Sequence, residues 1–198
     1  MARRVTIKDI AREAGVSAQT VSRAINDKGE IRPETQERIL RIAERLGYRP
    51  NRIARSLATR RSRNVGLVVP DVSNPFFASV ARGIEDTAQH AGYNVFLCNT
   101  GENASREINA IHSLEAQRVD GLLVCSSRLS DRELAEVADR FEPLVLVNRR
   151  VDRPQAGCVL VDDARGMQEA VLYLLQLGHR QIGLLAGPVQ SHSGKERV

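Results

Sequence analysis

Ala18, Gln19, Ser22 and Arg23 carry the chemistry needed to read a base pair. Their spacing puts them on the outer side of one helix beginning at Ser17. Gln can pair bidentately with adenine and Arg with guanine in the major groove, and an Ala methyl can touch that of thymine. Thr20 and the helix N-terminus suit a phosphate. A solvated helix face has the same polarity, so these residues alone leave both readings open. A second polar set follows apolar runs: Asp71, Ser73 and Asn74, then Ser126 and Ser127, then Asn148 and Arg149, then Asp162 and Asp163. Phe76 and Phe77 stand beside the first group. Hydroxyls, amides, one Arg and aromatic faces suit a small polar ligand such as a sugar. They would serve equally as helix caps and loop solvation.

Motifs for enzymatic chemistry fail. The first strand run is followed by Pro70-Asp71-Val72-Ser73-Asn74-Pro75, not by a glycine-rich dinucleotide fingerprint. Gly187 and Gly194 are separated by six residues, and Glu196 follows Lys195 where a phosphate loop needs Ser or Thr. There is no nucleophile elbow. His90, His112, His179 and His192 have no metal-ligand spacing. Cys98, Cys125 and Cys158 are isolated in apolar runs, which argues against disulfides and a thiolate metal site. We therefore expect no enzyme, no catalytic residues, no cofactor and no metal.

The elements that would position these residues change character along the chain. Thr6-Ile7-Lys8-Asp9 is a capping box, followed by Ile7, Ile10, Ala11 and Ala14 at helical spacing and Gly15 as a stop. Ser17 caps a second helix to about Ile25, with Val21, Ala24 and Ile25 inward. A third begins at Pro33, turns Ile39, Ile42, Ala43 and Leu46 inward, and ends at Gly47. Arg32 is a poor cap for it. Helix, short glycine turn, helix is the helix-turn-helix arrangement. Residues 51–59 are helical in composition but too short to hold a helix alone. From residue 64 the pattern predicts strands at 65–69, 93–98, 119–125, 143–147, 158–161 and 181–186. Helices are predicted at 76–91, 105–118, 130–140 and 163–177. That alternation predicts a doubly wound parallel α/β sheet.

Charge divides the chain in the same place. Residues 1–63 hold 16 basic and 7 acidic side chains, a net +9; residues 64–198 hold 13 and 17, a net −4. A basic head suits a polyanion, nucleic acid before membrane, because no stripe of large apolar residues accompanies the charge. The longest apolar run, Ile182–Val189, is far short of the roughly 20 residues of a membrane span. The N-terminus has no apolar segment behind its charges, so a cytoplasmic protein is expected.

Residues 5–26, Val-Thr-Ile-Lys-Asp-Ile-Ala-Arg-Glu-Ala-Gly-Val-Ser-Ala-Gln-Thr-Val-Ser-Arg-Ala-Ile-Asn, resemble the DNA-binding head of the LacI/GalR family of bacterial transcriptional regulators. The resemblance continues through Gly47-Tyr48-Arg49-Pro50-Asn51 and Ala54-Arg55-Ser56-Leu57. It includes Val65-Gly66-Leu67-Val68-Val69-Pro70, Ser73-Asn74-Pro75-Phe76-Phe77 and Val119-Asp120-Gly121-Leu122-Leu123. It extends to Gly178-His179-Arg180 and Ala186-Gly187-Pro188.

The resemblance implies an all-α helix-turn-helix head and a doubly wound parallel α/β body of the periplasmic-binding-protein-like type, here incomplete. The divisions would be a DNA-binding domain at 1–50, a hinge helix and linker at 51–63, an effector-binding N-subdomain at 64–161, and the start of a C-subdomain at 162–198. It implies a repressor that binds a pseudo-palindromic double-stranded DNA operator as a homodimer, under control of a small effector. DNA contacts would come from Thr6, Ser17, Ala18, Gln19, Thr20, Ser22, Arg23 and Asn26 in the head. In the hinge they would come from Asn51, Arg52, Ala54, Arg55, Ser56 and Leu57, the last wedging a minor-groove base step. Effector contacts would come from Asp71, Phe76, Asn148, Arg149, Ser193 and Arg197. Family chains are longer, so these residues would be an N-terminal part, expected to leave sheet edges and apolar surface uncovered. The competing reading is a sugar-binding transport receptor, which a basic head without an export signal disfavours.

Overall fold

The computed structural model describes residues 5–26, 31–48, 61–186 and 191–198. The chain divides into two compact units, Met1–Arg55 and Ser56–Val198. The expected hinge contacts Asn51, Arg52, Ala54, Arg55, Ser56 and Leu57 lie outside the described residues.

The first unit contains α1 (Ile7–Ala14), α2 (Ala18–Ile25) and α3 (Pro33–Arg45). Gly15 ends α1 with φ 65°, a left-handed conformation that only glycine adopts without cost. It turns the chain into Ser17, the cap of α2. Ile10, Val21 and Ile39 are fully buried, one from each helix, and Ala11, Ala14, Ala24 and Ala43 close around them. Ile7, Ile25, Ile42 and Leu46 are only partly covered and pack on the rim of this cluster. The cap of α3 is Arg32, which offers no side-chain hydrogen bond; Pro33 at the first position has no N–H that needs one. The inter-helix bonds are polar. Gln36 donates to the Ala24 carbonyl at 3.3 Å, and Arg45 pairs with Glu13.

The second unit is built on a five-stranded sheet. Its strands are β1 (Asn64–Val69), β2 (Asn94–Asn99), β3 (Leu122–Cys125), β4 (Leu144–Val147) and β5 (Ala156–Val159). They run in the order β2-β1-β3-β4-β5, every pairing parallel. Alternation along the strands separates two cores. Val68, Leu122, Val124, Leu144 and Leu146 meet Ile111 and Leu114 of α5 (Ala104–Ala116) and Leu134 and Val137 of α6 (Asp131–Arg140). Leu67, Val69 and Cys125 meet Phe77, Val80 and Ile84 of α4 (Pro75–His90). Helix α5 comes close to β1: a Cβ at Gly66 would sit 2.7 Å from the Leu114 side chain and 3.0 Å from that of Leu122.

Two sequence expectations need correction beyond residue 150. The strand expected at 158–161 forms at 156–159, where backbone register with β4 pairs Ala156 with Leu144 and Val159 with Val147. It is an edge, so half of its ladder is unpaired and its boundary follows β4 rather than its own apolar run. The strand expected at 181–186 does not form. A strand needs a partner, and no described residues pair with this run. Leu184 is half exposed and Leu185 fully so. Helix α7 (Asp163–Gln176) buries no residue, and Leu172, Tyr173 and Leu177 face outward. A short helix, α8 (His192–Glu196), follows. Among the described residues no helix is long and apolar enough to cross a membrane.

Candidate nucleic-acid interface and ligand cleft

In the first unit, local hydrogen bonds fix how α2 is presented. Ser17 Oγ accepts the Thr20 N–H at 3.0 Å and lies 2.8 Å from the Thr20 hydroxyl. The two hydroxyls thus rigidify the entry to the helix, where its unpaired amides favour an anion. At the other end, Asn26 Nδ2 donates to the Ser22 carbonyl at 2.7 Å. Between these caps Ala18, Gln19 and Arg23 are exposed, while Thr20 and Ser22 are half-buried. Thr6 gives both its N–H (2.9 Å) and its hydroxyl (2.7 Å) to the Asp9 carboxylate, so its side chain is engaged in capping α1. The three side chains with base-reading chemistry therefore stand outward, on a helix whose neighbours cap and orient it.

In the second unit, β1 is the strand from which the sheet grows both ways, to β2 on one side and β3 on the other. A crevice opens at the carboxyl ends of strands at such a switch point. A cleft of about 300 Å³ lies here, lined from β1's end by Asn74, Phe76 and Phe77, from β2's by Glu102, from β3's by Ser126 and Arg128, and from β4's by Asn148. Ser191, Ser193 and Arg197 close it. The two phenyl rings meet edge to face, with centroids 5.1 Å apart. Four of the six expected effector residues thus come together: Phe76, Asn148, Ser193 and Arg197.

Capping and cleft-lining overlap in part: Asn74 and Ser191 do both. Asn74 caps α4, accepting the Phe76 N–H at 3.0 Å, and Asp162 caps α7. Ser126 and Asn148 cap nothing. Both have left-handed backbones (φ 45° and 53°) that turn the chain sharply at the strand end. Asn148 is 9% exposed and its side-chain amide has no hydrogen-bond partner among the described residues. Its polar atoms are not sealed from solvent, so they are open to a partner in the cleft. Arg197 reaches Asp163 through Nε at 2.8 Å and remains about half exposed.

Asp71 and Arg149 stand elsewhere. The Asp71 carboxylate takes the Ser73 hydroxyl (2.7 Å) and N–H (2.9 Å), which hold it below the usual carboxylate range. It does not line the cleft. Arg149 donates to Asp131 at 2.6 Å and to the Leu129 carbonyl at 3.3 Å, and lines a neighbouring cleft.

Sequence reasoning missed Glu102, Arg128 and Ser191, which line the cleft, and Glu107, which holds the loop after β3. Glu107, 2% exposed on α5, accepts the Ser127 hydroxyl at 2.5 Å and the Arg128 N–H at 2.8 Å. Burial pushes its carboxyl up, and the bonds from Ser127 and Arg128 pull against that. Glu102 takes Arg128 Nε at 2.5 Å, and Arg128 also donates to the Ser126 carbonyl at 2.9 Å. The two carboxylates thereby fix the loop after β3 and aim its guanidinium. Neither had a sequence signal beyond an acidic residue at a helix start.

A helix-turn-helix head followed by a parallel sheet of this order defines a class, the regulators that pair a DNA-binding head with a periplasmic-binding-type domain. The chain belongs to the LacI family: the model for bacterial regulatory proteins of the lacI family matches residues 6–51, and that for periplasmic binding proteins and the sugar binding domain of the LacI family matches 62–198. It is 37% identical to catabolite control protein A of Priestia megaterium, over 94% of this chain and 56% of that one. It is 40% identical to the HTH-type transcriptional regulator GalS of Salmonella typhimurium, over 92% and 54%. It superposes with a TM-score of 0.87 on the crystal structure of the lac repressor dimer bound to operator and the anti-inducer ONPF, at 30% identity, over 98% and 59%. The chain spans a little over half the length of these relatives.

Proposed function

We propose that the protein is a sequence-specific transcription regulator, a repressor working in the cytoplasm. Two copies bind a pseudo-palindromic operator, and a small polar effector such as a sugar controls them. The observation that carries this reading is the exposed trio Ala18, Gln19 and Arg23 on the second helix of a capped helix-turn-helix. That helix is the one such motifs place in the major groove. The head's net charge of +9 supplies attraction to phosphates. We assign Thr6, Ser17, Thr20, Ser22 and Asn26 to the same surface, and Asn51, Arg52, Ala54, Arg55, Ser56 and Leu57 to a hinge that meets the minor groove. The effector site is the switch-point cleft, with Asn148, Ser193 and Arg197 as polar partners and Phe76 as the apolar wall. Asp71 and Arg149 are kept as proposed effector contacts beside the residues that line the cleft. Selection from a pool of random duplexes tests the reading. It should enrich an inverted repeat with two half-sites; recovery of no common sequence would overturn it.

A further inference from the structure

We propose, resting on the reading of the switch-point cleft as the effector site, that Glu102 and Arg128 are a specificity-determining pair in it: together they grip two adjacent hydroxyls of the effector and turn away its acidic counterparts. Both line the cleft, Glu102 after β2 and Arg128 after β3, the two strands that flank β1. Each is pinned through its backbone. The Glu102 N–H donates to the Pro70 carbonyl at 3.1 Å, just beyond β1, and the Arg128 N–H donates to the buried Glu107 carboxylate at 2.8 Å. The Arg128 side chain is 13% exposed, so its guanidinium belongs to the cleft wall rather than to solvent.

Arg128 Nε donates to Glu102 Oε2 at 2.5 Å, and Nη2 lies 2.5 Å from the same oxygen. Nη1 donates to the Ser126 carbonyl at 2.9 Å. A guanidinium carries five N–H groups, so at least two remain for a ligand. Glu102 Oε1 has no partner among the described residues. A donor and an acceptor side by side suit hydroxyls on neighbouring carbons, one accepting from Arg128 and the next donating to Glu102. The cleft's other guanidinium, Arg197, is also matched: its Nε and Nη2 lie 2.8 Å and 2.7 Å from Asp163 Oδ1. Neither cation is left over to neutralise an acidic ligand, which would meet the Glu102 charge instead. Specificity then comes from repulsion as well as from fit.

Calorimetry of the chain with glucose, galactose and mannose, each beside its uronic acid at constant ionic strength, tests this. At least one neutral sugar should bind, and at least tenfold more tightly than its uronic acid. Asn148→Ala should weaken it, which places it in the cleft. Glu102→Gln removes the repelling charge and frees Arg128, so the preference for the neutral sugar should shrink at least fivefold. Arg128→Gln leaves Glu102 uncompensated, so the neutral sugar should weaken at least tenfold and the preference should grow. A merely structural role for the pair would weaken sugar and acid alike; an unchanged ratio in Glu102→Gln therefore overturns the proposal, even where Arg128→Gln fails to fold. So does a wild-type chain that binds sugar and acid equally. Binding of none of the sugars, or binding that Asn148→Ala leaves intact, overturns the effector site itself and the pair with it, so the two failures are distinct.

Discussion

Gln19 and Arg23 lie one turn apart on the outside of α2, with their backbone held by the Ser17–Thr20 cap and the Asn26–Ser22 bond. If they read bases, Gln19→Ala and Arg23→Ala should each weaken operator binding by about 1–3 kcal/mol and leave binding to random duplexes nearly unchanged. Competitive anisotropy on both DNAs measures this; equal losses would make both residues phosphate contacts. Their chemistry was legible because it depends on residue type and a local helix. Glu107 was not, because its partners lie 20 and 21 residues away and only the folded sheet brings them in. Asp120 is a second such case. Burial raises its carboxyl, but the Ser62 N–H (2.6 Å), the Arg63 N–H (2.9 Å), the Ser62 hydroxyl (2.9 Å) and the charge of Arg61 outweigh that and lower it overall. A carboxyl lowered in the fold stabilises it above its ordinary value of 3.8, and the contribution is lost as pH falls through the folded value. Asp120→Asn keeps only one acceptor oxygen for three donors. Urea unfolding should therefore show the variant less stable at pH 7 and the gap shrinking below about pH 4. A gap unchanged by pH would remove the charged carboxylate from the account.

At the scale of elements, the helices of the head were readable because caps and apolar spacing are local signals. Strands β1, β3 and β4 were readable because each is an aliphatic run inside the sheet, and β2 was readable from its apolar run although it is an edge with Phe96 and Leu97 exposed. The misplaced β5 and the absent strand at 181–186 mark where that information ends: β5 takes its bounds from its register with β4, and the 181–186 run has no pairing partner among the described residues. Close packing makes a further prediction. Gly66→Ala places a methyl against Leu114, itself 3% exposed, and should cost about 1–3 kcal/mol in denaturant unfolding, a loss that Gly83→Ala, with open space around it, does not share. The hinge gives another. A leucine inserted at a base step holds the duplex bent, so Leu57→Ala should leave the head folded by circular dichroism and reduce both bend and operator affinity. Circular-permutation gel shifts with an unchanged bend would refute the wedge. The switch-point cleft was half legible: strand ends were identifiable as polar, but which polar residues cap helices and which face a ligand depended on backbone turns at Ser126 and Asn148.

Across the whole molecule, charge and architecture divide together: a net +9 through residue 63, where the three-helix unit lies, and a net −4 over the residues that build the sheet. A basic, separately packed unit joined to an acidic ligand-type domain makes sense if the first meets DNA and the second reports a small molecule to it. Operator binding through that head is measured most directly as affinity against salt. An enriched inverted-repeat duplex and a scrambled one of equal length would be titrated with the chain between about 50 and 200 mM salt, where several phosphate contacts make the logarithm of affinity fall linearly. The prediction is parallel, steep slopes for the two duplexes, with the inverted repeat bound at least about 1,000-fold more tightly throughout. Equal affinities for the two duplexes, or an affinity indifferent to salt, would contradict it.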